Sequence, residues 1–209
     1  FHKLNFNSQK NEILFISNFK IDNNDLLREN CENDDLVAMN LCRLAKENKL
    51  KFNILPRQRD KVKNRKEFYF YKNILKDNFK FLKIKKDISS AYKIFSKYKY
   101  IFCTYSTLGS ENLSKGGRTG FIFFKSPKNP SKYYRFGSLQ RIKSKGPFWT
   151  SGHKYNSVEL KRVFNFVIKS KQNIWEKKSK VGKKVLEFDY NNKIFRNIVN
   201  KELKREIYW

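Results

Sequence analysis

The chain has 209 residues, of which 39% are hydrophobic and 16% aromatic, and it carries a formal net charge of +28. That apolar content suffices for the core of one large domain and excludes a disordered basic tail. No run of 18 apolar residues occurs, so the sequence predicts no membrane-spanning helix. The first residues contain neither an initiator Met nor a signal-peptide core, and we expect a cytoplasmic chain that is a fragment of a longer protein.

The positive charge fits two interpretations. A domain with a pI near 10.0 has the electrostatic character of a nucleic-acid-binding protein. The lysines are nevertheless spread over the whole chain, and Asn, Ile, Phe and Tyr are also frequent, which is the usage that an A/T-rich genome produces. No RNP, GXXG, zinc-finger or recognition-helix motif accompanies the charge, so we do not expect nucleic acid as a partner. Attraction for anionic substrates, or peripheral contact with the anionic inner face of a membrane, follows from either interpretation.

Cysteine and histidine usage gives little support for a metal or disulfide site. Cys31, Cys42 and Cys103 are odd in number and lack the spacing of metal ligands, so we interpret them as reduced residues in or near the core. The only histidines are His2 and His153, too few for a histidine-based metal site. We therefore predict no metal.

Apolar runs alternate with amphipathic segments along the first 124 residues. The apolar runs, predicted as buried strands, are 12–18, 51–56, 79–84, 100–105 and 119–124. The segments predicted as helices between them are 33–49, 66–76, 89–96 and 107–115. Strict alternation of strand and helix is typical of a parallel sheet with helices on both faces, so we predict an α/β, Rossmann-like fold.

The pattern changes after residue 124. Prolines, glycines and aromatic residues are mixed over 125–153, which predicts a long ordered loop. A helix is predicted over 157–169, with Ser157 as its cap and Val158 on its buried face. Further helix is predicted over 173–180 and in the tail. We expect a Rossmann-like domain over 1–171 and a helical extension over 172–209 that packs on it.

The segment YSTLGSENL begins where the fourth predicted strand ends. The first turn of a helix in this position suits a phosphate or sugar hydroxyls. Ser106 and Thr107 can donate hydrogen bonds there, Gly109 permits close approach of the backbone, and Glu111 can accept hydrogen bonds from ribose or sugar hydroxyls. A structural alternative stays open, in which Ser106 or Thr107 only caps the helix and Glu111 completes a capping box.

The stretch YSTLGSENLSKGGRTGFIF resembles the Ser-Thr-x-Gly-x-Glu-(Ala/Asn)-Leu-x-x-Gly motif in the carboxyl-terminal domain of GT-B-fold glycosyltransferase-like proteins. The resemblance is to those of surface carbohydrate or capsular polysaccharide biosynthesis, and ILPRQRD and GPFWTSG are similar to the same group. It covers roughly residues 12–171 and implies the C-terminal half of a GT-B fold, which binds a nucleotide-diphosphate sugar as donor substrate and holds no permanent cofactor. Because this fold takes its catalytic base from an N-terminal domain that the chain lacks, the resemblance implies an inactive fragment whose partners are that domain or an acceptor glycan.

On the matching positions, the resemblance implies donor contacts from Ser106, Thr107, Gly109, Glu111, Arg57 and Arg59. The serine, threonine and glycine would contact the diphosphate or nearby hydroxyls, and the glutamate would bind ribose or sugar hydroxyls. The two arginines follow the second predicted strand, and their guanidinium groups suit the diphosphate charge, although arginines on a solvated surface are the alternative.

Five other residues have both a functional and a structural interpretation. His153 is a candidate general base, although a loop histidine beside a tryptophan is commonly structural. Arg118, at the start of the fifth strand, is a further phosphate candidate. Tyr92 could stack on a base or lie at the edge of the core. Phe148 and Trp149 either form an aromatic wall or anchor their loop, and we favour the anchor.

Two other functions remain open from the sequence. UDP-GlcNAc 2-epimerases have a related Ser-x-x-x-x-x-Glu turn, which makes a nucleotide-sugar epimerase one alternative. A non-catalytic basic module for nucleic acid or anionic membrane is the other, and strong salt-dependent affinity for DNA would indicate it.

Overall fold

A computed structural model describes residues 10–19, 34–83, 93–94, 97–104, 106–124, 139, 143–185, 197 and 199–201. The strands within these ranges are β1 (Lys10–Ile16), β2 (Phe52–Leu55), β3 (Lys80–Phe81), β4 (Tyr98–Cys103), β5 (Arg118–Phe124), β6 (Lys145–Gly146) and β7 (Trp149–Gly152). The helices are α1 (Asp34–Glu47), α2 (Lys61–Leu75), α3 (Thr107–Ser114), α4 (Ser157–Lys169) and α5 (Gln172–Val185).

The strands form one seven-stranded sheet in the order β3-β2-β1-β4-β5-β7-β6. Every neighbouring pair is parallel except β6 and β7, which are antiparallel. This arrangement confirms the predicted Rossmann-like parallel sheet. The strand order reverses between β1 and β4, and open α/β sheets bind their ligands outside the carboxyl ends of the strands at such a switch point.

Helices cover both faces of the sheet. A methyl group on Gly120 of β5 would lie 3.2 Å from Val167 of α4, whereas one on Gly109 of α3 would lie 3.4 Å from Thr119 of β5. Because adjacent residues of a strand point to opposite faces, α3 and α4 pack on opposite sides. Helix α1 contacts α2 and α4, and α5 contacts α3, so each face carries more than one helix.

The prediction of a continuous loop over 125–153 is wrong near its carboxyl end. Strands β6 and β7 form a short hairpin there, and β7 extends the parallel sheet beyond β5. Four register pairs, from Phe121↔Trp149 to Phe124↔Gly152, join β5 and β7. The pairing partner of β7 is distant in sequence, so the local composition of loop-forming residues concealed the strand.

Phe148 and Trp149 anchor this hairpin to the core, as expected. Phe148 is completely buried, and its ring centroid lies 5.3 Å from that of Trp175 in α5. Trp149 is also buried, and its Nε1 donates a hydrogen bond to the carbonyl of Lys143 at 2.9 Å. The two rings therefore do not form an exposed aromatic wall.

Helix α4 has the predicted bounds but a different cap and a different buried face. The cap is Asn156, whose side-chain oxygen accepts a hydrogen bond from the N–H of Glu159 at 3.0 Å, and not Ser157. Val158 is 74% exposed, so its predicted inward position is wrong. The buried residues of α4 are Leu160, Val163, Phe164 and Val167.

Several other predictions fall partly or wholly outside the described residues. Cys42 and Cys103 are buried and free, as expected, whereas Cys31 lies outside those residues. Tyr92, most of the predicted helix over 89–96 and most of the tail also lie outside them. No helix in the part of the chain that the structure describes is long and apolar enough to cross a membrane.

Candidate functional site

The parallel strands place most of the predicted site residues at one edge of the sheet, beyond the carboxyl ends of the strands. Arg57 and Arg59 follow β2, Ser106 and Thr107 follow β4, and His153 follows β7. Adjacent strands lie about 4.8 Å apart, so β2 and β4 are separated by roughly 10 Å across β1. The residues after β2 and β4 therefore flank the switch point, whereas His153 lies two strands beyond β4 and is exposed.

Helix α3 begins at the switch point without a side-chain cap. Ser106 has extended backbone angles, with φ −144° and ψ 130°, and its hydroxyl makes no capping hydrogen bond. Its carbonyl accepts the N–H of Ser110 at 3.2 Å, as an N-cap carbonyl should. Thr107 is exposed and Glu111 is half-buried. The capping alternative thus fails for the Ser106 side chain, and the ligand-binding interpretation of these residues stays a prediction.

Other positions of the motif pack α3 against the sheet. A methyl group on Gly109 would lie 2.6 Å from the Sγ atom of Cys103, so only glycine fits without displacement. The Nδ2 group of Asn112 donates a hydrogen bond to Oγ1 of Thr119 at 2.9 Å. A methyl group on Gly117 would lie 2.3 Å from that Nδ2 atom. Close helix–sheet packing therefore explains these residues.

Arg118 lies at the opposite, amino edge of the sheet and is 8% exposed. Its guanidinium closes the carboxyl end of α4 through hydrogen bonds to the carbonyls of Val167 and Ser170, at 2.9 and 2.8 Å. It also stacks on Trp175, with 5.5 Å between its Cζ atom and the ring centroid. A cation at a helix carboxyl end is favourable, so Arg118 has a structural role.

The structure adds a group of buried polar residues that the sequence analysis did not single out. We call this group the switch-point cluster; its members are Ser17, Asp34, Glu67, Tyr71 and Thr104, each at most 8% exposed. They follow β1 and β4 or belong to α1 and α2. Buried charged groups reduce stability unless they are paired, and groups with perturbed pKa values are frequent at functional sites. The switch-point cluster is therefore a candidate functional site.

Asp34 is the first residue of α1, and its Oδ2 atom accepts the N–H of Asn18 at 3.0 Å. Burial raises the pKa of this carboxyl to about 6, although Thr104 and the Asn18 N–H lower it. The Thr104 hydroxyl lies near enough to affect that pKa, yet it finds no hydrogen-bond partner of normal geometry among the described residues. The ionised carboxylate is therefore only partly compensated.

Glu67, in α2, is completely buried and uses both oxygens of its carboxyl group. Oε1 accepts the N–H of Arg57 at 3.0 Å, and Oε2 accepts the N–H of Gln58 at 2.9 Å. Burial raises the pKa of Glu67, whereas these N–H groups and the Ser17 hydroxyl lower it. The Tyr71 hydroxyl donates to Ser17 Oγ at 2.9 Å, which links α2 to the end of β1.

Arg57 stands at the exposed side of the cluster. Its Nη1 group donates to Oδ1 of Asn18 at 3.0 Å and to the carbonyl of Asn18 at 3.4 Å. Among the described residues, Nε and Nη2 of Arg57 donate no hydrogen bond. Within the described residues this side of the guanidinium has no protein acceptor, and its planar pair of donors fits a phosphate.

The sequence contains one signal that could have revealed this cluster. Glu67 is the only acidic residue in α2, among basic and aromatic residues. A single acidic residue in such a helix suggests that its carboxylate has a specific hydrogen-bond partner. Asp34 gives no comparable signal, because first-turn acids are common at exposed helix starts.

A shallow groove of about 380 Å³ lies between the carboxyl-terminal parts of α1 and α2. It is lined by Met39, Asn40, Cys42, Arg43, Lys46, Ile74, Leu75 and Asn78. Helices that connect parallel strands run back along the sheet, so this groove lies away from the switch point. Within the described ranges, no group of three acidic, cysteine or histidine side chains could hold a metal ion.

Comparison with known proteins identifies a family. Residues 1–203 match the model of a family described as "putative O-antigen biosynthesis protein". This match confirms the resemblance to surface polysaccharide biosynthesis proteins. No curated protein matches the sequence. Among solved structures, the wall teichoic acid polymerase TagF is similar with a TM-score of 0.46 and 13% sequence identity. The alignment covers 99% of this chain and 45% of that protein, so the chain spans less than half of its length.

Proposed function

The chain belongs to this family of O-antigen biosynthesis proteins, and we propose that its Rossmann-like domain binds the nucleotide-sugar donor of a GT-B-like glycosyltransferase. A sheet with a switch point between β1 and β4 offers a crevice for such a ligand. The observation that carries the proposal is Arg57, whose Nη1 group is held at this crevice by Asn18 while Nε and Nη2 have no acceptor among the described residues. A nucleotide-diphosphate sugar supplies the matching anion and several hydroxyl groups.

The flanking residues have complementary roles in this proposal. Arg57 on the β2 side neutralises the diphosphate, assisted by Arg59. On the β4 side, the first N–H groups of α3 and the hydroxyls of Ser106 and Thr107 donate hydrogen bonds to the diphosphate. Glu111 accepts hydrogen bonds from ribose or sugar hydroxyls. As the bond between the anomeric carbon of the sugar and the diphosphate oxygen breaks, these groups stabilise the departing nucleoside diphosphate.

The proposal also covers partners and location. The catalytic base comes from outside the described residues, either from an N-terminal domain or from another chain. The acceptor glycan is the second substrate. The donor is a substrate whose sugar is transferred to the acceptor and whose nucleoside diphosphate is released, so no permanent cofactor is involved. The net charge of +28 favours cytoplasmic anionic substrates and peripheral contact with an anionic membrane face.

Calorimetric titration with UDP, CDP and GDP and their sugars tests this proposal, at low and at physiological salt. We expect saturable binding of one nucleotide that Arg57→Ala, Ser106→Ala and Glu111→Ala each weaken by about 1–3 kcal/mol. The matched control is Arg43→Ala, since Arg43 is an exposed arginine that pairs with Glu47 in α1. Equal losses of nucleotide affinity for Arg57→Ala and Arg43→Ala would show that the effect comes from net charge and not from the position of Arg57. Absence of nucleotide binding, with salt-sensitive binding of DNA or anionic vesicles instead, would contradict the proposal.

A further inference from the structure

We propose that Glu67 is a positioning residue that prepares Arg57 to bind the diphosphate, without contacting the ligand itself. This inference rests on the proposed function, since it assigns a second residue to the same anion site. The inference rests on the two hydrogen bonds that Glu67 accepts and on the N-cap of α2, which Asp60 already provides.

Glu67 holds the backbone from which Arg57 projects. Its two oxygens accept the consecutive N–H groups of Arg57 and Gln58, at 3.0 and 2.9 Å. Those N–H groups lie in the turn between β2 and α2, and within the described part of the chain their acceptor is Glu67 and not a neighbouring strand. A fully buried carboxylate with two charge-assisted hydrogen bonds fixes the course of this turn.

Capping of α2 does not explain this arrangement. The helix already has Asp60 as its N-cap, and the Oδ1 atom of Asp60 accepts the N–H groups of Val62 and Lys63, both at 3.0 Å. Glu67 instead reaches back past the start of the helix to the turn that carries Arg57. Both carboxylate oxygens of Glu67 therefore bind the turn that carries Arg57, and not the first turn of α2.

The side chain of Arg57 is held at its other end by Asn18. With the backbone bound to Glu67 and Nη1 bound to Asn18, the Arg57 side chain is held at both ends, and Nε and Nη2 make no hydrogen bond to the residues that the structure describes. A preorganised group loses less conformational entropy when it binds its ligand. The ligand that fits a planar pair of N–H donors is a phosphate group with two available oxygens.

Charge and position predict opposite effects for Glu67→Gln, which makes the proposal testable. Removal of a buried negative charge near an anion site should by itself tighten anion binding. The amide that replaces the carboxylate presents one NH₂ group to an N–H donor, so one of the two hydrogen bonds is lost and the turn is displaced. If positioning dominates, the variant binds an anion more weakly despite its more positive charge.

The experiment is a double-mutant cycle with pyrophosphate as the probe, measured by calorimetry on the full chain. We expect Glu67→Gln to weaken pyrophosphate binding by about fivefold or more, and to have less than about a twofold effect when Arg57→Ala is already present. Equal or tighter binding by Glu67→Gln, or an equal loss in both backgrounds, would overturn the positioning role.

Two further measurements keep the test decisive. Thermal unfolding shows whether each variant is folded, and Glu67→Asp replaces Glu67→Gln if the latter does not fold. Glu67→Asp keeps the negative charge but shortens the side chain, so we expect it to weaken pyrophosphate binding only where Arg57 is present. No loss, or a loss independent of Arg57, would overturn the proposal. If the wild type binds neither pyrophosphate nor any of UDP, CDP and GDP, the proposed function fails as well.

Discussion

Replacement of Asp34 by asparagine tests whether the switch-point cluster holds an unfavourable buried charge. Asp34 is 8% exposed, and burial raises its pKa from 3.8 to about 6. A difference of roughly 2 pKa units corresponds to about 3 kcal/mol, since each unit is worth about 1.4 kcal/mol. The amide oxygen of asparagine can still accept the N–H of Asn18 but carries no charge. We therefore expect Asp34→Asn to raise the free energy of unfolding at about pH 8 by up to about 3 kcal/mol.

The pH dependence gives this prediction its sign. The folded protein binds the Asp34 proton more tightly than the unfolded chain does, so the penalty is absent below about pH 4 and complete above about pH 6. The advantage of the variant should therefore grow by about 1.4 kcal/mol between about pH 5 and pH 8. Urea unfolding of both proteins across this interval measures it, and the difference between them cancels the titration of other groups.

The neighbouring charges define the control. Asp35 raises the pKa of Asp34, whereas Arg57 lowers it. Asp35→Asn also removes one negative charge from the start of α1, but its carboxyl group is only half-buried, so we expect a much smaller effect on stability. A loss of stability in Asp34→Asn, or an advantage that does not change between about pH 5 and pH 8, would refute the reasoning.

Two substitutions and one labelling measurement test the packing that supports the site. Arg118→Met should lower the free energy of unfolding by about 2–4 kcal/mol, because it leaves the carbonyls at the end of α4 without their charged donor. Recovery of full stability in Arg118→Lys would contradict a role for the planar guanidinium group. Gly120→Ala should cost about 1–3 kcal/mol in urea unfolding, because the added methyl would lie 2.6 Å from the Phe102 ring, whereas Gly152→Ala, with its nearest atom at 3.6 Å, should be tolerated. Cys103 should resist alkylation in the native protein, since burial raises the pKa of its thiol; mass spectrometry that detects rapid native labelling would show that the core opens.

The sequence predicted the parts of the fold that depend on local pattern. Strands β1, β2, β4 and β5 are rich in apolar residues that are mostly buried, and such stretches are typical of strands that are buried on both faces. Helix α4 was predicted with its observed bounds. Hairpin β6–β7 was missed, since the short segment WTSG becomes a strand only through its pairing with β5.

The candidate site was only partly predictable for a related reason. Arg57 follows a strand that the sequence identifies, so its position beyond the carboxyl ends of the strands could be anticipated. Most of the cluster beneath it could not, because Ser17 and Thr104 become neighbours only when β1 pairs with β4, across almost ninety residues of chain. The lone acid Glu67 is visible in the sequence of α2, but its binding partners are set only when α2 packs beside the turn after β2. Contacts of this kind follow from the topology and not from local pattern.

Two buried carboxylates beside a proposed anion site are at first sight unfavourable for an anionic ligand. Their charge is nevertheless directed towards the protein, since Glu67 binds two backbone N–H groups and Asp34 binds a third. Long-range attraction can come instead from the dispersed lysines that give the chain its charge of +28, and salt screens that attraction. Hydrogen bonds to the buried carboxylate of Glu67 are screened much less. The fold can therefore separate attraction of the ligand, which the surface provides, from orientation of Arg57, which the buried acids provide.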